Sequence, residues 1–83
     1  MAKISTEQYF SLCTGVLVKD IKELALTLDY LSDEEFSHHV NDEKNDFSTW
    51  VSEVFGKKDL AEEISQTTDR KDIQLALLKN LVK

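Results

Sequence analysis

The sequence holds no proline, two glycines and one cysteine, and its ten basic residues are outnumbered by sixteen acidic ones. With only Gly15 and Gly56 present, there is no glycine-rich loop to cradle a phosphate. A single thiol, Cys13, cannot close an internal disulfide. The apolar core alone must hold the fold, which suits a reducing compartment and an expected cytoplasmic location. No apolar run approaches the roughly 20 residues that a membrane span needs. The longest uncharged stretch, Gln8 to Val18, is broken by Ser11, Thr14 and Gly15. The N-terminus lacks the basic-then-apolar pattern of a signal peptide. Linkers, internal repeats and low-complexity tracts are absent as well.

What remains is 83 residues, 41% of them apolar. A chain of this size buries only roughly 60% of its unfolded surface, so it supports one core and no deep cleft between lobes. The expected organisation is one domain over 1–83, with an N-terminal segment at 4–19 and a helical core at 20–83. The net charge is −6, and it is unevenly spread. From Asp29 to Glu53 there are eight acidic residues and only Lys44 opposes them, a local charge of −7 against +1 elsewhere. Such a surface repels a phosphate backbone, so nucleic acid is not expected as a partner. It serves either as a solvated face that aids solubility or as a docking face for a basic partner.

The first segment reads two ways. Ser5-Thr6-Glu7-Gln8, with Ile4 and Tyr9 as a hydrophobic staple, has the form of a capping box for a short helix ending near Gly15. The aromatic and β-branched residues on either side of Thr14-Gly15 suggest a hairpin instead, and the balance tips toward hairpin or extended chain. Cys13, in apolar company, is expected to be buried and inert.

Beyond residue 19 the pattern is helical. Asp20 with Glu23 caps a helix of about three turns whose stripe is Ile21, Leu24, Ala25, Leu28 and Leu31. Ser32 with Glu35 caps a second, with Phe36, His39 and Val40 inward. After a polar loop at 41–44, Asn45 and Asp46 cap a third. Its stripe of Phe47, Trp50, Val51, Val54 and Phe55 ends at Gly56. Phe36, Phe47, Trp50, Val54 and Phe55 are therefore expected core residues. A short fourth helix carries Leu60, Ala61 and Ile64, and Thr68 or Asp69 caps the last. The expected fold is mainly α, a compact bundle of about five short helices, with a hairpin or extended segment at the N-terminus.

The last helix is apolar on two sides. At 100° per residue, Ile73, Ala76, Leu77 and Leu81 share one face, while Leu75, Leu78 and Val82 fall on the other. Either the domain wraps both faces, or the Leu75, Leu78 and Val82 stripe meets a second chain.

Candidate chemistry is sparse. His38 and His39 point about 100° apart on a helix and cannot readily ligate one metal together. Glu35 and His38 match the Glu-x-x-His step of carboxylate-bridged metal bundles, but only one copy of that step exists. Cys13 and Ser37 are possible nucleophiles, yet no base is fixed beside either. No catalytic residue, metal or cofactor is expected, and enzymatic activity is not anticipated.

The stretch from Phe36 to Ile64 resembles a small uncharacterised helical domain family of archaea and bacteria, with the pattern Phe-x-x-His-Val-Asn, Asn-Asp-Phe-x-x-Trp-[Ile/Val] and Leu-Ala. The matching positions are Phe36, His39, Val40, Asn41, Asn45, Asp46, Phe47, Trp50, Val51, Leu60 and Ala61. The resemblance implies a helical fold and leaves function open. It also singles out a polar corner, His39, Asn41, Asn45 and Asp46. That corner is either a satisfied network, with His39 on a backbone carbonyl, or a small recognition pocket. The order of short helices before a longer terminal one is loosely similar to sterile-alpha-motif domains, an analogy of architecture only. The expected function is a non-enzymatic protein-interaction module that self-associates or docks a protein partner through the C-terminal helix and the acidic middle. The competing expectation is a small ligand- or metal-binding protein using the His38/His39 corner.

Overall fold

The computed structural model describes residues 6–82. A 3-10 turn at Thr6–Gln8 leads into a two-stranded antiparallel hairpin, β1 (Phe10–Ser11) and β2 (Leu17–Val18), with Phe10 opposite Val18. Five helices follow: α1 (Ile21–Thr27), α2 (Asp33–His39), α3 (Asp46–Phe55), α4 (Lys58–Ser65) and α5 (Arg70–Leu81). The mainly helical bundle with an N-terminal hairpin is therefore the fold. The Ser5 cap and the Ile4 half of the staple lie outside the described residues.

In the hairpin, Leu12 O accepts the Gly15 N–H and Leu12 N–H reaches Val16 O, both at 2.9 Å. The connection is thus a three-residue loop, Cys13-Thr14-Gly15, rather than a two-residue Thr14-Gly15 turn. Gly15, at φ +91°, supplies the positive φ that such loops place in their last position. This geometry corrects the expectation for Cys13. Leu12 turns inward and is buried, and Cys13 opens the loop with its residue exposed to solvent.

The helix starts follow local chemistry. Asp20 accepts the Glu23 N–H at 2.8 Å. Ser32 and Glu35 form a reciprocal capping box. Asn45 Oδ1 accepts the Ser48 N–H at 3.0 Å, and Asp69 accepts that of Asp72 at 3.3 Å. Gly56, at φ +66°, closes α3 in the left-handed conformation. Helix α1 is shorter than its apolar stripe suggests. Asp29 N–H and Tyr30 N–H bond back three residues, to Leu26 O and Thr27 O, which tightens and ends the helix. Leu28 and Leu31 are buried all the same.

Helix α3 packs on α4, and α5 packs on both α1 and α4. The shared core holds Leu24, Leu28, Phe47, Val51, Ile64, Ile73 and Leu77, all fully buried, with Phe36 and Trp50 nearly so. Val54 and Phe55 are corrected from core to rim. They sit in the last turn of α3, half-buried against the core, with Phe55 edge-on to Trp50 at 5.1 Å. Leu81 is corrected too. It is 43% exposed, because the last turn of α5 runs past the body that covers Ile73, Ala76 and Leu77. Among the described residues, no helix is long and apolar enough to cross a membrane.

Candidate functional site

The polar corner is built where α2 ends and α3 begins. Val40 leaves α2 in an extended conformation and forms an isolated bridge with Asn45, so the polar loop between them is a closed turn. Each polar side chain has a structural task there. Asn41 Nδ2 donates to Ser37 O at 3.0 Å, and its Oδ1 accepts the Glu43 N–H at 2.9 Å. Asn45 caps α3 and donates to Ile64 O at 2.8 Å, tying α3 to the end of α4.

His39, only 4% exposed, is held on both ring nitrogens. Nε2 accepts the Cys13 N–H at 3.1 Å, and Nδ1 lies 3.0 Å from Asp46 Oδ2. The neutral tautomer with its proton on Nδ1 satisfies both bonds. The expected backbone-carbonyl partner is thus replaced by a backbone N–H, and the donor comes from the hairpin, 26 residues away. Around the ring stand Phe10 at 5.1 Å and Phe47 at 5.5 Å. Asp46 also receives Lys44 Nζ at 3.0 Å. Partial burial raises the Asp46 pKa, but the hydrogen bonds from His39 and Lys44 and the charge of Lys44 outweigh it and hold the carboxyl below its usual range.

His38 is exposed, with its ring edge-on to His39 at 5.0 Å. With both His39 nitrogens engaged by the protein, the histidine pair offers one free imidazole. Among the described residues there is no cluster of three or more His, Cys, Asp or Glu arranged to hold a metal. A shallow depression of about 300 Å³ lies over this corner, lined by Asn41, Lys44, Ser48 and Thr67 among others. No buried side-chain polar atom among the described residues lacks a partner. The corner is a satisfied network that joins the hairpin to two helices.

The other candidate is the outer face of α5. Leu75 is 53% exposed, Leu78 41% and Val82 84%, while Ile73, Ala76 and Leu77 on the opposite face are buried. The domain covers one stripe and leaves the other in solvent. Two side chains that sequence reading did not single out fix this orientation. Arg70 Nη1 donates to Leu28 O at 2.9 Å and also to Leu31 O, and Nη2 reaches Asp33 Oδ1 at 3.1 Å. Its guanidinium lies over the Phe36 ring, 5.3 Å from the centroid. One turn on, Gln74 Nε2 donates to Ala25 O at 2.8 Å and to Asp29 Oδ1 at 2.9 Å. Arg70, at the start of α5, binds just past the end of α1, and Gln74, one turn on, binds within α1, so the two helices run antiparallel.

On the other side of α5, a groove of about 640 Å³ lies against α4, lined by Lys57, Lys58, Glu63 and Lys79 among others. The acidic middle is displayed as well, with Asp29, Asp33, Glu34, Asp42, Glu43 and Glu53 all exposed. Compared with protein-family models, curated proteins and solved structures, the chain matches none.

Proposed function

We propose that this protein is a non-enzymatic protein-interaction module whose contact surface is the outer face of α5. The observation that carries this reading is the exposure of Leu75, Leu78 and the C-cap residue Val82 along one side of α5, while Ile73, Ala76 and Leu77 on the opposite side are buried in the core. Scattered apolar residues on a surface need no explanation, but a contiguous apolar stripe rimmed by charge marks a contact site. The acidic middle adds long-range attraction toward a basic protein surface and disfavours nucleic acid. The setting that fits a single free, exposed cysteine is the reducing cytoplasm.

The test is affinity capture from native lysate with immobilised wild-type protein and a Leu75→Asp/Leu78→Asp double variant. Wild type retains a protein in stoichiometric amount that the double variant does not. Equal retention by the two, or retention by neither from a wild-type protein that is also monomeric at high micromolar concentration, removes the reading.

A further inference from the structure

We propose that the occupant of this face is a second copy of the same chain, paired antiparallel through α5 about a two-fold axis. The proposal rests on the reading of α5 as a contact surface and names what covers it.

Leu75 and Leu78 in α5 and Val82, the residue that caps its end, are spaced by three and four residues, the a–d–a step of a heptad seam. One flank of that seam carries Asp72 and Lys79, seven residues apart, one near each end of the helix. Both are exposed, and neither has an ion-pair partner among the described residues. Among the described residues, the Asp72 carboxylate accepts only the Thr67 hydroxyl, at 3.3 Å.

This charge order is self-complementary. When two α5 helices run antiparallel with Leu75 of one layered on Leu78 of the other, this flank meets its own copy. Asp72 then faces the second copy's Lys79, and Lys79 faces its Asp72. In the same register Lys71 lies over the second copy's Val82, where its aliphatic stem covers the valine and its ammonium stays in water. A parallel pair instead brings Lys79 toward the Gln74 flank and leaves both charges unmatched. The other flank is already closed to a partner, because Gln74 is bound to α1. A three-turn helix pair buries less than the roughly 1,200–2,000 Å² of a stable complex, so the dimer dissociates in the micromolar range.

The experiment is sedimentation velocity across the micromolar range on wild type, Asp72→Lys, Lys79→Asp and an equimolar mixture of the two variants. Thermal unfolding checks that each variant is folded. Wild type shows a concentration-dependent dimer. Each single reversal places like charges opposite one another twice and weakens the dimer about tenfold. The mixture pairs opposite charges at both contacts and returns to wild-type affinity. That recovery comes only from pairing, whatever a lysine at position 72 does to the start of α5. A wild-type monomer at high micromolar concentration, a mixture no tighter than either variant alone, or growth beyond two copies each overturns the proposal. A monomer whose α5 still captures another protein from lysate overturns the second copy as occupant and leaves the contact-surface reading standing.

Discussion

At the scale of single residues, the strongest constraints are long side chains that satisfy backbone groups far away in sequence. Arg70 closes two carbonyls at the α1–α2 connection and reaches Asp33 at the start of α2. Arg70→Ala removes these bonds and strands partly buried acceptors, at an expected cost of about 2–3 kcal/mol. Arg70→Lys recovers little of it, because a single ammonium cannot reproduce the planar fork. Urea unfolding of the two variants checks both statements, and a lysine variant with wild-type stability would contradict the second. Asp46 gives a pH signature. Its carboxyl is held below the usual range by His39 and Lys44, so the folded state prefers it ionised more than the unfolded state does. That stability is fully present above the unfolded-state value and is lost as pH falls through the lowered folded value. Wild type therefore unfolds at higher urea than Asp46→Asn at neutral pH, and the gap narrows toward pH ~3. A gap independent of pH would show that the charge of Asp46 contributes nothing.

At the scale of elements, the two-residue strands of the hairpin are too short to be stable alone and must lean on the helices. Three groups hold them. Phe10 packs among His39, Phe47 and Trp50, the Cys13 N–H bonds His39, and Trp50 Nε1–H donates to Gln8 O at 2.7 Å. Trp50 was legible as a core residue from its place mid-stripe in α3. Its second task, anchoring the segment ahead of β1, involves a partner 42 residues away and left no mark in the local pattern. Trp50→Ala opens both the core and the hairpin seat, at about 3–5 kcal/mol. Trp50→Phe keeps most of the packing but loses the indole donor, at about 1 kcal/mol plus faster amide exchange in β1 and β2. Hydrogen exchange measured by NMR separates the two effects, and unchanged hairpin protection in Trp50→Phe would remove the anchoring role. At Cys13 the local pattern points the other way from the fold, since its apolar neighbours suggest burial and the residue is exposed. Strand alternation sends Leu12 in, and the three-residue loop starts at the next position.

For the whole molecule, the question is which apolar surface the fold leaves over. Helices α1 and α4 cover one face of α5, and the body ends before Leu81. Because Leu75 and Leu78 are about half in solvent already, Leu75→Asp/Leu78→Asp changes unfolding free energy little, by about 0.5–1 kcal/mol. Loss of association in a variant that melts near the wild-type temperature identifies the face as a contact surface. A collapse in stability would mean that this face belongs to the core after all. Charge works at the same scale. The exposed acidic groups of the middle lie on α2, α3 and the loops around them, so the proposed attraction to a basic protein surface is expected to weaken with added salt, as binding measured across ionic strength checks.

Local signals settle the helices, their caps and most of their buried stripes: Asp20, Ser32, Asn45 and Asp69 at the starts, Gly56 in the left-handed end of α3, and the stripes between them apart from Val54, Phe55 and Leu81. Those signals act over three to four residues, through side-chain bonds to nearby backbone groups and a fixed 100° turn per residue. The packing of the segments is what gives His39 a hairpin amide, seats Arg70 on the α1–α2 connection and Gln74 on α1, and turns Leu75, Leu78 and Val82 outward. Those outcomes depend on contacts between segments 26 to 49 residues apart, whose relative placement no local periodicity encodes. An amphipathic pattern says that a face is apolar. What covers that face is fixed by how the other helices pack around it.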